Sequence, residues 1–154
     1  MKELDAFCIK GSPNTRTAQQ KGLRVFKGHA QFYEKKEVAE AKADLADALL
    51  SHVPDEPYKG DICLRVLWCF CKTSLSRKEQ RTFKRSRPDL DNMVKGLLDV
   101  MVDVGFFEDD SYIVKLDLTK SWNVETPGLF IQILELDDTE NDYVEQIEQW
   151  RLRV

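Results

Sequence analysis

The segment 61–71 is apolar almost throughout, and it constrains the fold more than any other part of the chain. A β-strand points successive side chains to opposite faces. One face of this segment carries Ile62, Leu64, Val66, Trp68 and Phe70, and the other carries Cys63, Leu67, Cys69 and Cys71. Strands that are apolar on both faces are typical of the centre of a covered sheet. We therefore predict a central strand here, with other elements packed on both of its sides.

Hydrophobic periodicity elsewhere predicts three more strands and three helices. Alternation indicates strands at 3–10, 111–122 and 129–136. Helical spacing indicates helices at 31–52, at 89–104 and in the acidic tail 137–154. The polar and basic stretch from residue 11 to residue 29 lacks either period and is predicted to be a mobile loop. The expected fold is α+β in the order β-α-β-α-β-β(-α), a mixed sheet with helices packed on it, in a single domain over 1–136 followed by a helical extension over 137–154.

The composition fits a globular protein. The chain has 154 residues, enough for one compact domain, and no apolar run approaches the ~20 residues of a membrane helix. The first residues lack the long apolar core of a signal peptide. The four cysteines lie in apolar segments without the spacing of a zinc site, so we expect reduced thiols. These features predict a cytoplasmic protein with no membrane partner.

The segment 72–87 is strongly basic, although the net charge of the chain is −4. It carries seven Lys or Arg residues against a single acid, Glu79. Binding to a polyanion depends on such local patches more than on net charge. The candidate phosphate-binding residues of this segment are Lys72, Arg77, Lys78, Arg81, Lys84, Arg85 and Arg87. The alternative is a solvated charged loop without a partner.

Acidic residues follow this basic segment at a spacing that suggests a metal site. Asp89 and Asp91 lie at the predicted start of a helix, Lys95 shares the face of Asp91, and Asp110 comes after the helix. Carboxylates brought together repel one another, and a divalent cation is the usual compensation. The simpler alternative is that Asp89 caps the helix, which is worth about 1 kcal/mol, while Lys95 pairs with Asp91 or Asp99.

Other familiar motifs are lacking in the sequence. A calcium loop starting at Asp89 is excluded, because Met93 and Val94 stand where an oxygen ligand and a glycine are required. There is no glycine-rich phosphate loop. His29 and His52 are the only histidines, which leaves little material for a catalytic triad or a histidine metal site.

The run R-P-D-L-D-N-x-x-K, followed by G-F-x-E-D-D, resembles the RusA family of Holliday junction resolvases. The resemblance implies a RusA-like fold and a small homodimeric endonuclease, often carried by prophages, that acts on branched DNA in recombination and repair. It implies Mg²⁺ as the cofactor, with Mn²⁺ able to replace it. Matched residue by residue, the resemblance puts the metal-binding acids on Asp89, Asp91 and Asp110 and an important catalytic lysine on Lys95. It also places Arg16, in a basic N-terminal loop, among the DNA-binding residues.

Several alternatives stay open on the sequence alone. The enzyme could cut flaps or forks rather than four-way junctions, or the chain could be a catalytically silent DNA-binding module. A PD-(D/E)xK nuclease is disfavoured, because Asp117-Leu118-Thr119 stands where the second half of that motif belongs. The choice of Asp110 over Asp109 as the third acid rests on spacing.

The length of the predicted helix would keep the three acids apart unless the chain or a second subunit brings them together. A helix of about 15 residues is roughly 22 Å long, and it begins between the first two acids and Asp110. Either the chain returns along the side of that helix, or the helix is shorter, or the acids of two subunits meet at a dimer interface.

Overall fold

A computed structural model describes residues 1–16, 21–72, 74, 82–123, 125–137, 147, 149 and 151–152. The strands are β1 (Lys2–Lys10), β2 (Lys21–Phe26), β3 (His29–Glu34), β4 (Ile62–Phe70), β5 (Ile113–Trp122) and β6 (Gly128–Glu135). The helices are α1 (Lys36–Leu49) and α2 (Leu90–Val104), with short 3-10 turns at Leu50–His52 and Asp110–Tyr112.

Strand β4 lies inside a four-stranded sheet of order β1-β6-β4-β5, as the sequence predicts. It runs antiparallel to β6 and parallel to β5. Parallel neighbours need a crossover connection, and the segment that contains α2 supplies it. The sheet is mixed and the domain is α+β, both as expected.

Helix α2 packs the main core onto one face of this sheet. Its buried residues lie on one stripe at helical spacing: Met93, Val94, Leu97, Val100 and Met101. They belong to one hydrophobic cluster with alternate residues of β4, which include Leu64, Val66 and Trp68. The prediction for this face of the central strand is confirmed.

The opposite face of β4 is more polar than predicted. Cys63 and Cys69 are buried there, but Arg65 between them is exposed. The Arg65 guanidinium donates to Asp117 Oδ2 at 2.9 Å and to Gln132 Oε1 at 2.8 Å, across both neighbouring strands. The prediction that this face of the strand is apolar is therefore wrong at Arg65.

A buried turn ends α2 and reverses the chain. Gly105 has φ 100°, which glycine adopts without steric strain, and its N–H donates to the carbonyls of Met101 and Val102. Phe106 and Phe107 follow with 0% and 1% exposure. These anchors leave Asp110 at the C-terminal end of the helix, from which β5 runs back parallel to β4.

Residues 21–34 form a β-hairpin, so the prediction of a mobile loop is wrong at 21–29. Strands β2 and β3 pair antiparallel around Lys27 and Gly28, which both have positive φ. A two-residue turn of this kind matches the twist of paired strands, but it is usually signalled by Asn-Gly or Asp-Gly. Because β3 occupies the residues before it, α1 begins at Lys36 rather than near residue 31.

The acidic tail was predicted to be helical, and most of it lies outside the described residues. Residues 147, 149 and 151 are helical. Within the described ranges, no helix has the length and apolar character needed to cross a membrane.

Candidate active site

Asp89 occupies the N-cap position of α2 without acting as a side-chain cap. Its backbone is extended, with φ −81° and ψ 150°, and its carbonyl accepts the first helical hydrogen bond from Met93 N at 3.1 Å. Within the described part of the chain, its carboxylate accepts no hydrogen bond from the helix. Capping therefore does not explain this aspartate, and the exposed carboxylate is available to a ligand.

Asp91 and Lys95 extend this exposed group along the first two turns of α2. Both side chains are exposed, and Asp91 lies in the first turn, where the helix dipole favours a negative charge. Among the described residues, Lys95 forms no ion pair with Asp91 or Asp99. The intrahelical ion pair that would have explained Lys95 structurally is thus not formed.

Asp110 lies at the opposite end of the same helix. The 15 residues of α2, a helix about 22 Å long at 1.5 Å per residue, lie between it and Asp89. The helix is not shorter than predicted, and no described strand carries Asp110 back along the helix to its start. Two of the three expected ways for the acids to meet are therefore not observed. Among residues that the structure describes, no three His, Cys, Asp or Glu side chains are grouped closely enough to hold a metal ion.

The neighbouring Asp109 has a structural task that distinguishes it from Asp110. Its carboxylate accepts a hydrogen bond from Ser111 N at 2.8 Å and caps the 3-10 turn Asp110–Tyr112. The hydrogen bonds from Ser111 lower the pKa of Asp109. The exposed carboxylate of Asp110 has no such partner among the described residues. This geometry favours Asp110 as the residue left free for a ligand.

Exposed arginines lie directly before the Asp89 position. Arg85 and Arg87 are both exposed, as is Lys72 at the beginning of the basic segment. These three predicted phosphate-binding residues are accessible to a polyanion. The predicted residues Arg77, Lys78 and Arg81 lie outside the described residues.

Lys84 was predicted to contact DNA, and its position contradicts that role. It is only 4% exposed, and its ammonium donates to Ser86 O, to Ser86 Oγ and to Arg87 O. An ammonium that is buried and already bonded to protein oxygens is not available to a phosphate. A run of basic residues does not reveal which of its members turns inward, so the burial of Lys84 could not be predicted from the sequence.

Lys120 is a residue of this region that the sequence did not single out. Its ammonium donates to Ser86 O at 3.0 Å and to Pro88 O at 2.7 Å, immediately before Asp89. In the sequence, Lys120 is recognisable only as a basic residue near the end of β5. The contact spans more than thirty residues, which no local pattern can show.

Arg16 lies at a separate cavity of about 300 Å³ between α1, α2 and the residues after β1. Asn92 and Gly96 of α2 line the same cavity. A Cβ added at Gly96 would meet no atom within 4 Å. The face of α2 next to Asp91 is therefore open rather than packed.

Comparison with known proteins identifies the family to which this chain belongs. The profile of the endodeoxyribonuclease RusA family matches residues 8–134, a range that contains all of the candidate site. The crossover junction endodeoxyribonuclease rusA of Lactococcus phage r1t is 34% identical over 120 residues, which cover 78% of this chain and 89% of that protein. The chain is thus of the endodeoxyribonuclease class, and it belongs to the RusA family, which confirms the resemblance seen in the sequence.

Proposed function

We propose that this protein is a Mg²⁺-dependent endodeoxyribonuclease that resolves four-way DNA junctions by paired phosphodiester hydrolysis. The observation that carries the proposal is the free carboxylate of Asp89 at the start of α2. It stands beside exposed Asp91 and next to exposed Arg85 and Arg87. The phage relative, named a crossover junction endodeoxyribonuclease, supports the choice of substrate. We expect the enzyme to act in the cytoplasm, in DNA recombination and repair.

The donor chemistry at the start of α2 fits a hard divalent cation. Carboxylate oxygens are the ligands that Mg²⁺ prefers, and Mn²⁺ accepts them too. In the described part of the chain, the carboxylates of Asp89 and Asp91 are not committed to protein donors. When bound, the ion neutralises phosphate charge and lowers the pKa of water. Asp89, Asp91 and Asp110 are the proposed residues that hold it.

The basic residues of the candidate site are proposed to bind different phosphates of the substrate. Lys95 lies one helical turn beyond Asp91, on the same face. We assign it to the scissile phosphate, where a fixed positive charge stabilises the charge that develops during hydrolysis. Arg85, Arg87 and Lys72 bind flanking phosphates, which gives affinity that is independent of sequence and sensitive to salt.

The position of Asp110 favours a site shared between two subunits. One chain offers Asp89 and Asp91 at one end of α2 and Asp110 at the other end of this helix, which is about 22 Å long. A two-fold dimer brings the first pair of one subunit to Asp110 of its partner and builds two sites at once. Edge strand β5, which begins just after Asp110, exposes Val114 and Leu116 by 56% and 44%. Such exposed apolar residues are suited to an interface between subunits.

A substrate panel tests the proposal. Labelled four-way junction, flap and linear duplex are incubated with the protein in Mg²⁺ or in EDTA. We expect symmetric cleavage of the junction in Mg²⁺ alone and weak cleavage of the linear duplex. Preferred cutting of flaps would instead indicate a flap or fork nuclease. Tight binding to the junction without cutting under any condition would indicate a silent DNA-binding module.

A further inference from the structure

Lys84 is held in an unusual site directly below the turn that leads to Asp89. It is the only buried polar or charged side chain among the residues described. Its ammonium lies 5.0 Å from the ring centroid of Phe70 and 5.0 Å from that of Trp122. Both distances suit a cation–π contact. The same ammonium donates to Ser86 O at 2.9 Å and to Ser86 Oγ at 2.8 Å.

Two ammonium groups together bind three successive carbonyls of this turn. Lys84 donates to the carbonyls of Ser86 and Arg87. Lys120 donates to the carbonyls of Ser86 and Pro88. The next residue is Asp89, so every peptide carbonyl of residues 86–88 is fixed by a lysine.

The two lysines are themselves fixed to the edge of the sheet. Residues 82–84 pair with the end of β5, because Lys84 N donates to Lys120 O at 3.0 Å and Trp122 N donates to Thr82 O at 2.9 Å. Lys120 belongs to that strand. The turn is consequently tied to a rigid strand rather than only to its own neighbours.

This arrangement is electrostatically unfavourable. Burial, followed by the charges of Lys120 and Lys72, lowers the pKa of Lys84. Among the described residues, no carboxylate pairs with either ammonium. Burying a charge without a counter-ion disfavours folding. An apolar side chain would fill the site between Phe70 and Trp122 without that penalty, so stability alone does not account for a lysine here.

We propose that Lys84 and Lys120 are positioning residues that clamp the carbonyls of residues 86–88 and thereby hold the Asp89 carboxylate in its metal-binding orientation. The inference rests on the proposed function, since it takes Asp89 to be a metal-binding acid. Groups that orient a metal-binding side chain typically change metal affinity by about 10- to 100-fold when they are removed. The clamp acts on Asp89 through the backbone rather than by touching the ion.

Metal affinity measured directly is the sharpest test. Mn²⁺ binding is followed by electron paramagnetic resonance in the full-length wild type, in Lys84→Met and in Lys120→Met. Methionine keeps the length and apolar character of the side chain and removes the ammonium. We expect the Kd for Mn²⁺ to rise about 10- to 100-fold in Lys84→Met. A rise in the same range is expected in Lys120→Met, because each ammonium holds two of the three carbonyls.

DNA affinity and a matched control variant distinguish a loss of Asp89 positioning from a general disruption of the fold. Junction affinity in EDTA should change by less than about threefold, because long flexible arginines still reach the phosphates. Lys36→Met is the control, since Lys36 is an exposed lysine at the start of α1, outside the clamp and outside β5. We expect that control to leave metal affinity, cleavage and DNA binding unchanged.

Chemical rescue keeps the test decisive if Lys84→Met does not fold. Lys84→Ala removes the part of the side chain that propylammonium replaces, whereas tetramethylammonium carries the charge without an N–H donor. We expect propylammonium to restore Mn²⁺ affinity and tetramethylammonium not to restore it. Equal rescue by both ions, or by neither, would overturn the clamp.

Asp89→Asn distinguishes failure of the clamp from failure of the proposed function. If Asp89→Asn binds Mn²⁺ as tightly as the wild type, Asp89 is not a metal-binding acid and the proposed function loses its site. If Asp89→Asn loses the metal while folded Lys84→Met and Lys120→Met bind it like the wild type, the site stands and the clamp is wrong.

Discussion

The two ends of helix α2 carry the acids of the candidate site, but different interactions build them. At the N-terminal end, the turn before Asp89 is held by lysine ammonium groups on backbone carbonyls. At the C-terminal end, Gly105 and two buried phenylalanines reverse the chain before Asp110. Polar contacts orient a group without adding much stability, whereas buried apolar surface adds stability without fixing the direction of a charge. Changes to the lysine contacts at the N-terminal end should therefore alter function, whereas changes to the buried turn at the C-terminal end should alter stability.

The largest effect on stability is expected at the C-terminal end. Phe106 is fully buried, and its ring stacks on that of Phe7 at 5.8 Å between centroids. Phe106→Ala should lower the free energy of unfolding by about 3–5 kcal/mol, which urea denaturation measures. Phe83→Ala is the control, because Phe83 is 74% exposed. Equal losses in the two variants would show that the buried turn is not what anchors this end.

The largest effect on activity is expected from the acids. Asp91→Asn and Asp110→Asn should each slow junction cleavage in Mg²⁺ by about a hundred- to a thousandfold, as loss of a fixed charge at a reaction centre does. Junction affinity should persist or rise, because repulsion of the phosphates falls. Asp103→Asn changes an exposed acid in the same helix and should cut normally. Near wild-type cleavage by Asp91→Asn would remove it from the metal site.

Mixing the two inactive variants tests whether the ends of α2 meet across a dimer. A heterodimer of Asp91→Asn and Asp110→Asn has one site with both defects and one intact site, if each site is shared. After co-refolding of equal amounts, about a quarter of wild-type sites should return, seen as single-strand nicking. If each site lay within one chain, every site in the mixture would carry a defect and no activity would return.

The sequence predicted the helix and strands that carry the acids better than it predicted the contacts that hold the turn before Asp89. Periodicity identified β4, α2 and the exposed positions of Asp91 and Lys95, because these depend on local patterns. It missed the hairpin at 21–34, whose Lys-Gly turn lacks the usual signature. It also treated Lys84 as one more phosphate-binding residue. The burial of Lys84 depends on Phe70, Trp122 and Lys120. These residues are brought together only by the parallel pairing of β4 and β5.

A smaller effect is expected from the exposed arginines before Asp89. Arg85→Ala with Arg87→Ala should weaken binding to all DNA sequences and reduce the log–log salt slope by about one unit for each lost phosphate contact. Lys36→Ala removes an exposed charge at the start of α1 and provides the control. Affinity across a salt series measures both. An unchanged slope in the double variant would mean that this turn faces away from the DNA.

The smallest effects are expected from replacing a glycine of this region by alanine, once in the middle of α2 and once at its end, and they concern the free energy of unfolding. A helix-interior glycine is less favourable than alanine by about 1 kcal/mol, and a Cβ at Gly96 would meet no atom within 4 Å. Gly96→Ala should therefore raise the free energy of unfolding by about that amount. Gly105 has φ 100°, where a Cβ is strained, so Gly105→Ala should lower the free energy of unfolding by about 1–2 kcal/mol. Urea denaturation of both variants gives the two signs, and a destabilised Gly96→Ala would show that the space beside the helix is filled in the folded protein.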